Sequence, residues 1–335
     1  MSLLIGFVAV EVLLRFLMPP IPEVRQAFVR DPHIPWKAKP LSVTWDPPPD
    51  GGGPPQEYRH NSLGFRDVEH AREKAPGVFR ILGLGDSFTY GAGATFEETY
   101  LSRLGALLNA RPGSHPRVEV INTGVPRYYP EPERMVLETY GPQFAPDLVT
   151  VGFLPNDVID TYYGIDAIAI NAEGDLISRE AASLGPAADW LYLHSYASRL
   201  VLDRFISYLK SKHHDPRYPE IFYPNRYHEK DWKTIEGEFG KMAGTAKELR
   251  VPLVLVYIPQ QGPWAEKDDY PGKRLSAWGS TNGVGVVDVL PGMMRAAAAT
   301  FQPLYYKTDG HCTPAGYAIV AQEMFAYLTG SNLVP

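Results

Sequence analysis

Short apolar runs recur along the chain, each closed by turn residues and most of them followed by a helical period. Phe79-Arg80-Ile81-Leu82-Gly83-Leu84 reads as a buried strand that stops at Gly85-Asp86-Ser87. After it, Tyr100, Leu101, Leu104, Leu107 and Leu108 recur at the spacing of one helix face, which predicts a helix around 96–110. Arg117-Val118-Glu119-Val120-Ile121-Asn122 reads as a second strand. A helix over 130–140 follows, with Pro132 tolerated in its first turn. Apolar runs at 147–153, 251–257 and 285–290 predict three further strands, and a closing helix spans 314–328. β-Branched runs alternating with helical stretches imply a parallel sheet covered by helices on both faces.

The ends and the middle depart from this rhythm. Residues 1–18 are apolar except for Glu11 and Arg15, which share a face if helical and so can pair. The segment reads as an uncleaved anchor or as a docked amphipathic helix, giving membrane contact through residues 2–18. The anchor reading places the protein outside the cytoplasm. Arg25, Arg30 and Lys37 follow the run and no basic residue precedes it, a bias that points the other way. Residues 19–60 are rich in Pro and Gly and read as a linker or wrap, which leaves 61–335 as the main domain. Within that domain an insertion over 158–250, rich in Tyr, His and Trp with a helical core near 196–212, is where a lid or pocket belongs.

Composition narrows the partners. The 335 residues are 44% hydrophobic and 21% charged with net charge -6, so nothing electrostatic favours nucleic acid. The single cysteine, Cys312, excludes an intramolecular disulfide and a thiolate zinc site, and reads as a small buried residue. His213-His214-Asp215 lacks a further ligand cluster and reads as a solvated loop, so no metal is expected. Tyr128-Tyr129 and Tyr162-Tyr163 suit either a pocket wall or core and rim packing.

Four segments fall at the carboxyl edge of the predicted sheet, where open α/β sheets place their ligands. Gly85-Asp86-Ser87 follows the first strand, Asn122-Thr123-Gly124 the second and Asn156-Asp157 the third, while Asp309-Gly310-His311 precedes the last helix. Together they hold what acyl transfer requires. Ser87 is the candidate nucleophile, His311 the base that takes its proton, and Asp309 the acid that orients the imidazole. The backbone N–H groups of Ser87 and Gly124 and the side-chain amide of Asn156 are candidate donors to an oxyanion. A dinucleotide-binding turn would need glycine where Phe88 stands. The nucleophile elbow of α/β-hydrolases would need it at Thr89.

These blocks resemble the SGNH (GDSL) hydrolase superfamily, with Ser87, Gly124, Asn156 and His311 at its four defining positions over about residues 60–330. The lead-in Asn61-Ser62-Leu63-Gly64-Phe65-Arg66 is seen in bacterial members. The resemblance implies a three-layer α/β/α sandwich with a flavodoxin-like parallel five-stranded sheet, and no cofactor. It implies a serine esterase acting on a small-molecule or glycan ester. An O-acyltransferase or O-acetylesterase acting on an envelope polysaccharide is the alternative, and a non-catalytic carbohydrate-binding relative is disfavoured because all four positions are intact. The family's usual spacing would put the acid at Thr308, whereas Asp309 lies two residues before the histidine. The segment from Gly152 to Asn156 is also longer than usual.

Overall fold

The structure is a computed structural model that describes residues 2–17, 28–46, 48–51, 55–113, 115–170, 174–178, 195–198, 229–261 and 269–335, with single positions at 187, 190, 191 and 201. His213, His214 and Asp215, and most of the helix expected over 196–212, lie outside these residues.

Five strands form the central sheet: β1 (Val78–Leu84), β2 (Arg117–Asn122), β3 (Leu148–Phe153), β4 (Leu253–Tyr257) and β5 (Gly285–Asp288), in the spatial order β5-β4-β3-β1-β2. Every pairing is parallel, with Leu82 opposite Ile121 on one side and Val149 on the other. This is the flavodoxin-like order. All six residues of β3 are buried, which is why it reads as an unbroken apolar run instead of an alternating one.

Among the described residues eight helices accompany the sheet: α1 (Ser87–Tyr90), α2 (Tyr100–Asn109), α3 (Pro130–Phe144), α4 (Asn156–Tyr163), α5 (Glu229–Leu249), α6 (Tyr270–Asn282), α7 (Leu290–Ala299) and α8 (Pro314–Gly330). One face buries Val136 and Leu137 of α3, Ile235 and Phe239 of α5 and Leu275 of α6. The other buries Leu101 and Leu104 of α2, Met293 of α7 and Val320 and Met324 of α8. The result is the three-layer sandwich. The chain turns in opposite directions from β1 and β3, so a crevice opens between their carboxyl ends.

Local chemistry sets the boundaries. The helix expected over 96–110 breaks at Thr99, whose hydroxyl caps α2 through Ser102 N–H at 3.3 Å; Thr95 and Glu98 close a capping box around the short turn before it. The helix from 130 continues past 140 to Phe144 with Pro142 in its last turns and ends where Ala145 turns left-handed. The strand expected to reach 290 stops at Asp288, whose carboxylate accepts from Leu290 N–H at 3.0 Å and starts α7. Helices α4, α5, α6 and α7 had no counterpart in the sequence reading.

The Pro-rich stretch before the domain wraps it. Among its described residues, 28–29 pairs with 37–38 and 43–46 with 56–59, both antiparallel. Trp36 is completely buried and donates its indole N–H to Pro126 O at 3.1 Å; Tyr128 OH donates back to Trp36 O. Asp50 accepts from the backbone N–H groups of Lys307 and Thr308 at 3.0 and 2.9 Å. The wrap thus steadies loops at the carboxyl edge of the sheet.

The N-terminal segment is a helix over Ser2–Leu17, with Glu11 and Arg15 paired at 3.0 Å as their spacing predicted. Glu11 also accepts from Ser195 Oγ and the N–H of Ala197. Among the described residues no helix is long and apolar enough to cross a membrane.

Candidate active site

Ser87 opens α1 directly after β1, so a rigid strand fixes its place. Gly85 makes the bend with φ +153°, where a Cβ would come within 1.9 Å of Thr89 Oγ1. Asp86 caps the turn by accepting from Phe88 N–H at 2.8 Å. As the first residue of its helix, Ser87 has no intrahelical partner for its N–H. Arg66, buried to 1% exposure, braces the far end of the turn by donating to Tyr90 O, Gly91 O and Ala94 O at 3.1, 2.6 and 2.6 Å. The Asn61–Arg66 lead-in therefore ends in the side chain that holds the serine loop.

His311 reaches Ser87 across 224 positions of sequence, with Nε2 2.8 Å from the serine Oγ. Its Nδ1 lies 3.0 Å from Asp309 Oδ2, and its own N–H donates to Asp309 Oδ1 at 3.0 Å. Burial acts to raise the Asp309 carboxyl, but the bonds from His311 outweigh it and hold the group below the usual carboxylate range. Thr308 faces elsewhere: its hydroxyl bonds Pro49 O and Asp50. Phe88 packs against the imidazole with ring centroids 4.9 Å apart.

Asn156, the first residue of α4, stands three residues after the end of β3 and lines the same cleft as Ser87. Its Nδ2 donates to Asp160 Oδ2 at 3.2 Å, and its Oδ1 accepts from Gln260 Nε2 at 2.8 Å. Gly124 is the second residue after β2. Its N–H already donates to Asn122 Oδ1 at 2.9 Å, and Gly124 is not among the residues that line the cleft. Its missing side chain matters more: a Cβ there would sit 2.4 Å from Tyr90 N and 2.6 Å from Thr89 C.

The cleft is open, about 360 Å³, and is walled by Ser87, His311, Asp309, Asn156, Arg127 and Gln260 among others. Its lining is polar except for Phe88 and Gly310, among the described residues. Neither tyrosine pair lines the cleft: Tyr128 and Tyr129 are core, while Tyr162 and Tyr163 meet edge to face at the surface. Cys312 is buried, as its type suggested.

Beneath the site lie three fully buried carboxyls. Burial pushes Asp86 up to about 6 against the pull of Phe88 N–H and His311. Burial and then the nearby Asp86 push Glu133 well above its ordinary range; burial, Glu133 and Asp86 do the same to Asp157. Neither oxygen of Glu133 has a hydrogen-bond partner among the described residues. The sequence reading passed over Arg66, Arg127, Glu133 and Gln260, none of which stands in a motif with an assigned role. The one available signal for Arg66 was its place at the end of the lead-in block.

Similar solved structures include a catalytic mutant of an acetylxylan esterase from Geobacillus stearothermophilus, 17% identical at a TM-score of 0.45, covering 77% of this chain and 96% of that one. Another is a member of the lipolytic G-D-S-L family from Veillonella parvula, 11% identical at 0.43, covering 75% and 98%. A third is a lipase/acylhydrolase from Enterococcus faecalis, 14% identical at 0.41, covering 76% and 96%. No curated protein sequence matches the chain. The family model for GDSL-like lipases and acylhydrolases matches residues 84–319, from the end of β1 into α8. That span takes in Ser87, Gly124, Asn156 and His311 and covers well over half of the sequence: the chain belongs to the GDSL-like lipase/acylhydrolase family, the SGNH serine hydrolases.

Proposed function

We propose that the chain is a serine esterase that cleaves a carboxylic ester through an acyl-enzyme, with Ser87 as nucleophile, His311 as base and Asp309 as orienting acid. The observation that carries the reading is the unbroken relay from Ser87 Oγ to His311 Nε2 at 2.8 Å and from His311 Nδ1 to Asp309 Oδ2 at 3.0 Å, open to the cleft.

A serine hydroxyl attacks only if a base takes its proton as the bond forms. Ser87 Oγ adds to the ester carbonyl carbon while Nε2 receives the proton, and Asp309 stabilises the resulting imidazolium. The negative charge that develops on the carbonyl oxygen is met by Ser87 N–H and Asn156 Nδ2. The ester C–O bond then breaks, and the imidazolium returns its proton to the leaving alcohol. Water repeats the sequence on the acyl-enzyme and frees the acid. The low-lying Asp309 carboxyl remains ionised throughout. The chemistry asks for no cofactor.

The polar lining of the cleft favours a small acyl group on a polar alcohol, and it supports a second reading. In that reading a glycan hydroxyl replaces water as the acceptor, making the enzyme an O-acyltransferase of a cell-envelope polysaccharide. An acetyl donor offered together with glycan acceptors separates the two, through free acetate or acetylated glycan as product. For the common mechanism, Ser87→Ala is expected to abolish hydrolysis of p-nitrophenyl acetate without changing the unfolding temperature. Retained turnover would reject the nucleophile.

A further inference from the structure

We infer that Gln260 and Asp160 are positioning residues which clamp the Asn156 amide from both ends and fix it with its N–H toward the reacting carbonyl. The inference rests on the reading of Asn156 as an oxyanion donor. A primary amide has an acceptor end and a donor end of nearly the same shape, so its orientation depends on its neighbours. A carboxylate only accepts, and Asp160 Oδ2 therefore holds the NH2 end at 3.2 Å. Gln260 Nε2 only donates, and it holds the carbonyl end at 2.8 Å. Turned over, the Asn156 amide would set oxygen against carboxylate and nitrogen against nitrogen, losing both bonds. Asn156 also acts by a side-chain hydrogen bond on Asp86, so the nitrogen end of the amide faces the turn that carries Ser87.

The acid in this clamp needs a countercharge to stay an acceptor. Asp160 is 7% exposed, and burial holds its carboxyl above the ordinary range. Arg127 opposes that pull with Nη2 3.1 Å from Asp160 Oδ1. Arg127 also lines the cleft and holds a left-handed backbone at φ +68°, a conformation uncommon for a residue with a side chain. Arg127, Asp160, Asn156 and Gln260 thus form one polar chain from the mouth of the cleft to the oxyanion site. Its members come from the loop after β2, from α4 and from the end of β4. Preorganised donors accelerate acyl transfer only when they already point where charge will develop. A free amide would spend part of its time reversed, with a lone pair on the oxyanion.

A double-mutant cycle on the full chain tests this, with p-nitrophenyl acetate as probe. Asn156→Ala should lower kcat by about a hundredfold or more, as loss of an oxyanion donor does. Gln260→Ala should lower kcat by about tenfold with KM within twofold, since the interaction matters in the transition state. Gln260→Glu keeps the shape but offers Asn156 an acceptor, and should lose as much as Gln260→Ala. In the Asn156→Ala background, Gln260→Ala should then cost less than twofold. If Asn156→Ala is costly but the Gln260 loss is additive to it, or appears in KM, or is spared by Gln260→Glu, the clamp is wrong and the triad reading stands. If Asn156→Ala itself leaves kcat unchanged, the oxyanion role fails first and the clamp goes with it.

Discussion

Gly124→Ala isolates one claim about how Ser87 is held. The change adds one methyl group and keeps the N–H, so it removes no hydrogen-bond donor. The added Cβ would lie 2.4 Å from Tyr90 N and 2.6 Å from Thr89 C, both in α1, the turn that carries Ser87. Ordinary contact begins near 3.4 Å, so the turn or the Gly124 loop must yield by about 1 Å. Neither side is free to move. Thr89 is completely buried and Tyr90 nearly so, Arg66 ties the carbonyls behind them, and Gly124's own N–H is tied to Asn122. Overpacking of this kind costs about 1–3 kcal/mol of stability. A displacement of about 1 Å at a reacting group costs on the order of a hundredfold in rate. Gly124→Ala should therefore fold, melt several degrees lower, and lose about a hundredfold in kcat/KM for p-nitrophenyl acetate. Activity within twofold of the parent would show that the turn has slack, and the packing account of Gly124 would be wrong.

Other outcomes follow from the same geometry. Asp309→Asn should lower kcat by about a thousandfold or more, as loss of the orienting acid does in such triads, while Thr308→Ala, whose hydroxyl bonds the wrap, should leave kcat within a few-fold; the reverse ranking in steady-state kinetics would move the acid elsewhere. Glu133→Leu should stabilise the fold at neutral pH by about 1–3 kcal/mol, because it removes a buried carboxyl without partners. The sign follows from linkage: carboxyls raised in the native state bind protons there more readily than in the unfolded chain, so stability is full below the ordinary carboxyl range and falls as pH rises. Asp86 brings that loss between about 4, its unfolded value, and about 6, its folded one, and Glu133 and Asp157 extend it upward. Denaturant unfolding from pH 5 to 8 should show a flatter profile for Glu133→Leu than for the parent; parallel profiles would contradict it.

The meeting of Ser87 and His311 was readable because each sits in a short block at the sheet edge, that of Ser87 placed by the apolar run beside it. Asp309 stood off the usual spacing in the sequence; it reaches the His311 imidazole, whereas the Thr308 hydroxyl is bonded to Pro49 and Asp50. The sheet was readable for the same reason as β3: strands buried on both faces have to be apolar throughout. Helix α5 was not read, although Trp232, Ile235, Phe239, Met242 and Ala246 are buried at helical spacing. Gly237, Gly240 and Gly244 lower its intrinsic propensity, and packing against α3 overrides them. Gln260 lay beyond reach for another reason: it meets Asn156 over 104 positions, and no local pattern encodes that distance. At Gly124 the lack of a Cβ, read from the sequence as permitting close approach, also gives clearance against α1.

The central claim is that Ser87 is the nucleophile because His311 lies 2.8 Å from it. A serine-directed fluorophosphonate, incubated with the full chain and followed by peptide mass spectrometry, tests that claim directly. One adduct on the peptide containing Ser87 is predicted, together with its loss in Ser87→Ala and marked slowing in a variant that removes the His311 imidazole. An adduct on any other residue, or labelling of Ser87 at an unchanged rate without the imidazole, would contradict it.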